Sequence, residues 1–235
     1  MSFATDLPTS GPERARAVAR MIDISAVQAP HGRPQVEELA AVAVAGGYIA
    51  AHVLPSWIPT LAPLLEGSDT RAGSPVGFPS GGTATEVKQG EADWLIAAGV
   101  QEMDVVMNIG LVRSGEFQAA SGDILAVLDT VGGRVPVKVI LEVGHLVGTE
   151  LERAAEAALA AGATSLKTGT GWSGTATTID HVARIRAVAG PDVEIKASGG
   201  VRSLADLISL YDAGARRFGA NVASARAIVA EAGWR

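Results

Sequence analysis

The chain has no cysteine in its 235 residues. That absence excludes disulfides, thiol catalysis and cysteine-held metals. Positive charge is short as well. The 19 Lys and Arg stand against 25 Asp and Glu, for a net charge of −6, which gives no reason to expect nucleic-acid binding. Long apolar runs are missing. The longest, Leu39 to Leu54, is broken by Gly46, Gly47 and His52, and it is too short to cross a bilayer comfortably. Met1 to Arg20 holds no apolar stretch of the secretory type. The expectation is a soluble, cytoplasmic protein that engages neither nucleic acid nor membrane. An acidic total still permits an anionic substrate, because backbone N–H groups can hold a phosphate locally.

What the chain does have is apolar content of 48% with 19% charged residues, enough for a sizeable core. Short strand-like runs alternate with helical patterns. The runs are Met21–Ser25, Tyr48–Val53, Arg71–Val76, Glu102–Met107, Val135–Leu141, Ser165–Lys167, Val193–Lys196 and Arg217–Gly219. Alternation of this kind predicts a parallel sheet with crossover helices, and eight repeats predict closure into a (β/α)8 TIM barrel. No linker or composition break divides the chain, so residues 1–235 read as a single domain. Residues 11–20 are expected to form an extra helix closing the bottom of the barrel. Thr83 with Glu86 and Thr149 with Glu152 have capping-box spacing, and Ser203 with Asp206 is a weaker version. Pro34 suits a first helical turn. Gly46, Gly67, Gly99, Gly162, Gly190 and Gly214 stand where helices should stop.

Two lysines carry the chemistry. Lys167 and Lys196 each read as closing a short strand, with glycines following in Gly169-Thr170-Gly171 and Ser198-Gly199-Gly200. A lysine is costly to bury. Two aimed at one place repel, and repulsion keeps one of them neutral near physiological pH. A neutral amine attacks a carbonyl and forms an iminium, an electron sink for breaking or making the adjacent C–C bond. Lys196, protonated, would lower the pKa of Lys167, and Asp104 would take and return a proton. The same end of a barrel should gather Asp23, Ser25, His52, Asn108, Lys138 and Glu142. A purely structural ion-pair network inside the barrel, such as Asp104–Lys138, is the competing reading. The glycine segments allow backbone N–H groups to approach an anion. No metal and no cofactor is expected, since His52 and His145 alone make a weak case for zinc.

Several stretches together resemble the 2-deoxyribose-5-phosphate aldolase family. They are Glu102 to Gly110, Val137 to Glu142, Ser165 to Gly171 and Ile195 to Arg202, with support from Gly77-Phe78-Pro79 and Thr85-Glu86-Val87-Lys88. The resemblance spans roughly residues 21–230. It implies a class I aldolase of (β/α)8 fold that reversibly cleaves deoxyribose 5-phosphate to glyceraldehyde 3-phosphate and acetaldehyde. By position it implies Lys167 as the Schiff-base lysine, Lys196 as its perturbing neighbour and Asp104 as the proton relay. Lys138 and Asp23 match further active-site groups, with Ser25 in the Asp23-Ile24-Ser25 segment. Gly171, Gly199 and Gly200 match phosphate-holding glycines, with Thr170 and Ser198 beside them.

The chain departs from the family pattern in places. After the last strand the family has a glycine followed closely by two serines. Here the segment runs Gly219-Ala220-Asn221-Val222, where Asn221 can donate a hydrogen bond and the Val222 side chain cannot. His52 and Leu54 replace the usual residues of the second strand. These departures motivate a second reading, an aldolase for a different or non-phosphorylated aldehyde, and a third, a barrel that binds without catalysis. The partner in the first two is a small-molecule aldehyde or sugar phosphate. A homodimer is also an expectation, since such barrels often pair, although no stripe marks an interface.

Overall fold

The computed structural model describes residues 6–233. Its strands are β1 (Ile22–Ala26), β2 (Ala50–Val53), β3 (Arg71–Val76), β4 (Glu102–Val106), β5 (Val137–Ile140), β6 (Ser165–Lys167), β7 (Glu194–Ser198) and β8 (Arg217–Asn221). They pair in chain order and close, β8 against β1. Neighbours run parallel throughout. Helices alternate with the strands, so the chain is the (β/α)8 barrel its alternation predicts. Among the described residues, no helix is long and apolar enough to cross a membrane.

Successive side chains of a strand point to opposite faces, and here the two faces differ sharply. Ile22, Ile24, Ala51, Val53, Met103, Val105, Val139, Leu166, Ile195, Ala197 and Phe218 join the apolar layer under the helices. Burying each Ile, Leu, Val or Phe of that layer contributes roughly 1.5–3 kcal/mol. The other face fills the barrel with charge. Asp23, His52, Glu102, Asp104, Lys138, Lys167, Lys196 and Arg217 are all buried, and they meet across the interior: Arg217 on β8 reaches Glu102 on β4 at 3.0 Å. Small neighbours make the room. At Gly73 of β3 a Cβ would stand 2.5 Å from the His52 ring, and at Gly219 of β8 it would collide with Ser198.

Several expectations need correction. Lys196 lies in the middle of β7, and only Lys167 closes its strand. The fifth strand starts at Val137 instead of Val135, because Pro136 has no N–H to donate to a ladder. The second starts at Ala50, after the left-handed Gly47 has ended the preceding helix. That glycine, not Gly46, is the stop. The expected Thr83–Glu86 box does not form, since the helix begins at Thr85 after Ala84. Thr85 instead donates its hydroxyl to Asp123 at 2.9 Å. Thr149 makes no side-chain cap; Glu150 accepts the Val147 N–H there at 2.8 Å. Of the three expected boxes the weaker Ser203–Asp206 pair forms, with reciprocal bonds of 3.1 and 3.0 Å, and an unforeseen one joins Thr178 and His181. The helix foreseen at 11–20 is present as Gly11–Ala19. It packs on the last helix, Val222–Glu231, and leads into the N-terminal end of β1.

Candidate active site

Lys167 and Lys196 are register partners on β6 and β7. Both amines converge on one oxygen. Asp104 Oδ2 accepts from Lys167 Nζ at 2.8 Å and from Lys196 Nζ at 2.7 Å. Lys196 also pairs with Asp23 Oδ2 at 2.5 Å. One layer further down, Arg217 bridges Asp23 at 2.5 Å and Glu102 at 3.0 Å, and Lys138 sits 2.6 Å from Glu102. Lys138 is 3.6 Å from Asp104 Oδ1, an oxygen that makes no hydrogen bond.

Burial and charge together set the protonation states. Asp23, Glu102 and Asp104 face Lys196, Lys138 and Arg217, and Arg71 reaches Glu102 at 3.3 Å, so these carboxylates have cationic partners without Lys167. Burial pulls the Lys167 amine down to about 8 from 10.5; Asp104 opposes the fall and Lys196 adds to it. Desolvation is therefore the leading cause, and the cationic neighbour expected to lead is a secondary one. Burial also works against charge on Lys196, but Asp104, Asp23 and Glu102 outweigh it and hold its pKa above the ordinary value. Burial would raise Asp104, yet Lys167, Lys196, His52 and Lys138 hold it well below the usual carboxylate range. Glu102 is lowered to about 2: burial and Asp23 raise it, while His52, Lys138 and Arg217 prevail. The two lysines thus differ in the expected direction, Lys167 the weaker base and Lys196 the stronger.

His52 stands in the same cluster, its Nε2 at 3.2 Å from Glu102 and 3.5 Å from Asp23, its Nδ1 at 3.8 Å from Asp104. Asp23, His52 and Glu102 bring possible metal-ligating atoms close together. Their oxygens already face Lys196, Arg217 and Lys138, so the protein's own cations fill the place.

Above the cluster opens a narrow cleft of about 30 Å³, lined by Ser25, His52, Phe78, Asp104, Lys167 and Lys196 among others. Thr170, Ser198 and Gly219 also border it. A second hollow of about 200 Å³ shares Ser25, Thr170, Ser198 and Gly219 with the first and adds Gly171, Gly199, Gly200 and Asn221. Gly171, Gly199 and Gly200 have φ of 81°, 102° and 82°, left-handed conformations suited to glycine. The candidate anion residues therefore gather at one place, next to the lysine cleft. Asn221 caps the last helix, accepting the Ser224 N–H at 2.8 Å, so its carbonyl oxygen is engaged. Lys138 is the exception among the candidates, since it lies beneath the cleft and does not line it.

Sequence reasoning missed several neighbours. Glu102 and Arg217 were detectable, for each lies two residues from a chosen position (Asp104, Gly219) and so shares its face. Arg202 and Ser224 line the anion hollow but come from helix approaches with no motif of their own. Trp172 and Phe78 shape the mouth, beside Glu142 and Asn108, which were expected at this end of the barrel. Glu142 is the described non-glycine residue with positive φ, 55°. Its Oε2 accepts both the N–H of Thr170, at 3.1 Å, and the Thr170 hydroxyl. Leu54 and Val222, whose identities departed from expectation, line neither hollow.

A buried amine of lowered basicity at the C-terminal mouth of a parallel (β/α)8 barrel, with a carboxylate in hydrogen-bond contact, defines a class I aldolase. No family model matches the chain. Curated relatives do. It is 46% identical over 207 residues to the deoxyribose-phosphate aldolase of Rhizobium meliloti, covering 88% of this chain and 83% of that one. It is 38% identical over 222 residues to the enzyme of the same name from Klebsiella pneumoniae, covering 93% and 89%. Among solved structures, the tetrameric deoxyribose phosphate aldolase of Aeropyrum pernix superposes with a TM-score of 0.84 at 28% identity, covering 92% of this chain and 91% of that one. The chain belongs to the deoxyribose-phosphate aldolase family.

Proposed function

We propose that the protein cleaves 2-deoxyribose 5-phosphate reversibly to glyceraldehyde 3-phosphate and acetaldehyde, with Lys167 as the nucleophile. The observation that carries this reading is the Lys167 amine, buried, lowered to about 8 and 2.8 Å from Asp104 in the cleft. At pH 7.5 about a quarter of such an amine is free base, against about one part in a thousand for an ordinary lysine.

Lys167 Nζ attacks the aldehyde carbon of the open-chain sugar, and loss of water leaves an iminium. Lys196, strongly protonated and bonded to Asp104, supplies the proton that leaves with that water. Asp104 then accepts the proton of the hydroxyl on the carbon being released. The C–C bond breaks, its electrons pass into the iminium, and glyceraldehyde 3-phosphate departs. The enamine left on Lys167 is protonated and hydrolysed to acetaldehyde. The phosphate is held at the N–H groups of Gly171, Gly199 and Gly200 and the start of the helix after Asn221. Ser25, Thr170, Ser198 and Gly219 border the sugar between the two ends, while Asp23 and Lys138 keep Lys196 and Asp104 in place. We further place this reaction in the cytoplasm, in keeping with a cysteine-free chain.

Borohydride added with acetaldehyde tests the reading: an adduct of matching mass on Lys167 supports it, and folded protein without one defeats it. A second reading, an aldolase for non-phosphorylated aldehydes, draws on Asn221 and Val222 after β8. Specificity constants for deoxyribose 5-phosphate and for deoxyribose separate the two, since a strong preference for the phosphate removes the second.

A further inference from the structure

The Lys167 cleft has a neighbour. A groove of about 850 Å³ runs alongside, bordered by Pro79, Ile109, Val147 and Trp172, with Arg113 and His145 among its polar members. Thr170 borders both spaces. Phe78 faces the cleft, Trp172 faces the groove, and the two rings touch edge to face with centroids 5.4 Å apart at 83°. The boundary between the spaces is therefore this aromatic pair.

Trp172 is tied in place from three sides. Its backbone N–H donates to the Thr170 hydroxyl at 2.9 Å, and Thr170 is in turn held by the left-handed Glu142. Its indole N–H donates to the Val27 carbonyl at 3.2 Å. Val27 follows β1, Phe78 follows β3 and Trp172 follows β6, so one side chain pins three loops around the mouth. The residue is 39% exposed and stands at the opening.

We propose that Trp172 is a specificity-determining residue: with Phe78 it forms a partition that bars bulky apolar acceptors in the Lys167 cleft from the adjoining groove. The proposal rests on the Schiff-base reading above. In the synthetic direction the enamine carbon on Lys167 attacks the carbonyl carbon of an acceptor aldehyde. The new C–C bond forms, the carbonyl oxygen takes a proton by way of Asp104, and water releases the product from Lys167. The cleft opens on one side to the polar hollow through Ser25, Thr170, Ser198 and Gly219, a poor match for an aromatic or long alkyl tail, and on the other side Trp172 and Phe78 stand before the groove. With the indole gone the tail enters the groove along Pro79, Ile109 and Val147.

The test measures condensation of acetaldehyde with propanal and with 3-phenylpropanal in wild type, Trp172→Ala, Trp172→Phe and Phe78→Leu. The expected result is a rise of about tenfold or more in the ratio of kcat/KM for the bulky over the small acceptor in Trp172→Ala. Phe78→Leu moves the ratio the same way, and Trp172→Phe lies between. A structural role alone would lower both acceptors together and leave the ratio still. A ratio unchanged in both Trp172→Ala and Phe78→Leu, with the acetaldehyde adduct still trapped on Lys167, overturns the partition. Absence of that adduct from wild type overturns the aldolase reading itself and this proposal with it. Should Trp172→Ala fail to fold, Phe78→Leu decides.

Discussion

Lys167 and Lys196 share one acceptor atom, Asp104 Oδ2, at 2.8 and 2.7 Å. Two ammonium groups this close to one oxygen repel each other; burial is the main reason that Lys167 is the weaker base, and Lys196, with Asp23 as a further partner, keeps its proton. The rate of adduct formation with acetaldehyde should therefore rise with pH and level off through about 8, where the Lys167 amine loses its proton. Replacing Lys196 by Leu removes the cationic contribution but leaves burial, so the inflection moves upward. A downward or absent shift in a single-turnover pH profile would contradict this account.

The same lowered basicity makes a stability prediction. Lys167 binds its proton at about 8 when folded and at 10.5 ordinarily. Between those values the unfolded chain carries a proton that the folded chain lacks, so stability rises with pH across this window and the deficit is full below 8. Lys167→Met, which abolishes turnover, should thus be more stable than wild type at pH 7 by up to about 3 kcal/mol. Urea midpoints at pH 7 and pH 10 check it: the gain should shrink at the higher pH.

Asp104→Asn should have the opposite effect on the fold. It strips a carboxylate from a buried cluster of cations, a change that typically costs about 3–5 kcal/mol. Turnover should fall by about 10²-fold or more. Denaturant unfolding and kcat together read the two consequences.

Much of this was legible from residue order. The eight short apolar runs, each followed by a helical pattern, were enough to expect the barrel, because a parallel strand needs a crossover. Lys167, Lys196 and Asp104 stood out because charge is rare on buried strands. What residue order could not convey is depth. Lys196 looked like a strand end and lies mid-strand, and Lys138 looked like a substrate contact and lies a layer below, against Glu102. Depth also decides why Lys167 is weakly basic: burial leads, and no spacing rule reports burial. The Thr149–Glu152 box fails for a related reason, since a tertiary partner takes the carboxylate: Arg184 donates to Glu152 at 2.6 and 2.8 Å.

Gly73 explains how an imidazole fits the interior. A Cβ there would stand 2.5 Å from His52 Cε1, so Gly73→Ala must displace the ring or the strand. A loss of about 1–3 kcal/mol is expected. His52→Ala in the same chain should recover part of it, as a double-mutant cycle would show.

Arg202 and Ser224 border the anion hollow without having been foreseen. Arg202→Leu should raise KM for deoxyribose 5-phosphate about tenfold, in line with loss of one charged hydrogen bond. The constants for unphosphorylated deoxyribose should stay within about twofold. Equal losses on both sugars would remove Arg202 from any anion-holding role.

The hollow for the anion is bordered by loops following β1, β6, β7 and β8, whereas the groove beyond Trp172 is bordered by those following β3, β4, β5 and β6. The two ends of a reactant thus fall to largely separate sets of connections, with the sixth loop common to both. Drift in one set can retune which handle is gripped while leaving the opposite end's tolerance untouched. A lineage could in this way exchange its feedstock piecemeal, without ever passing through an ancestor whose central amine had gone silent.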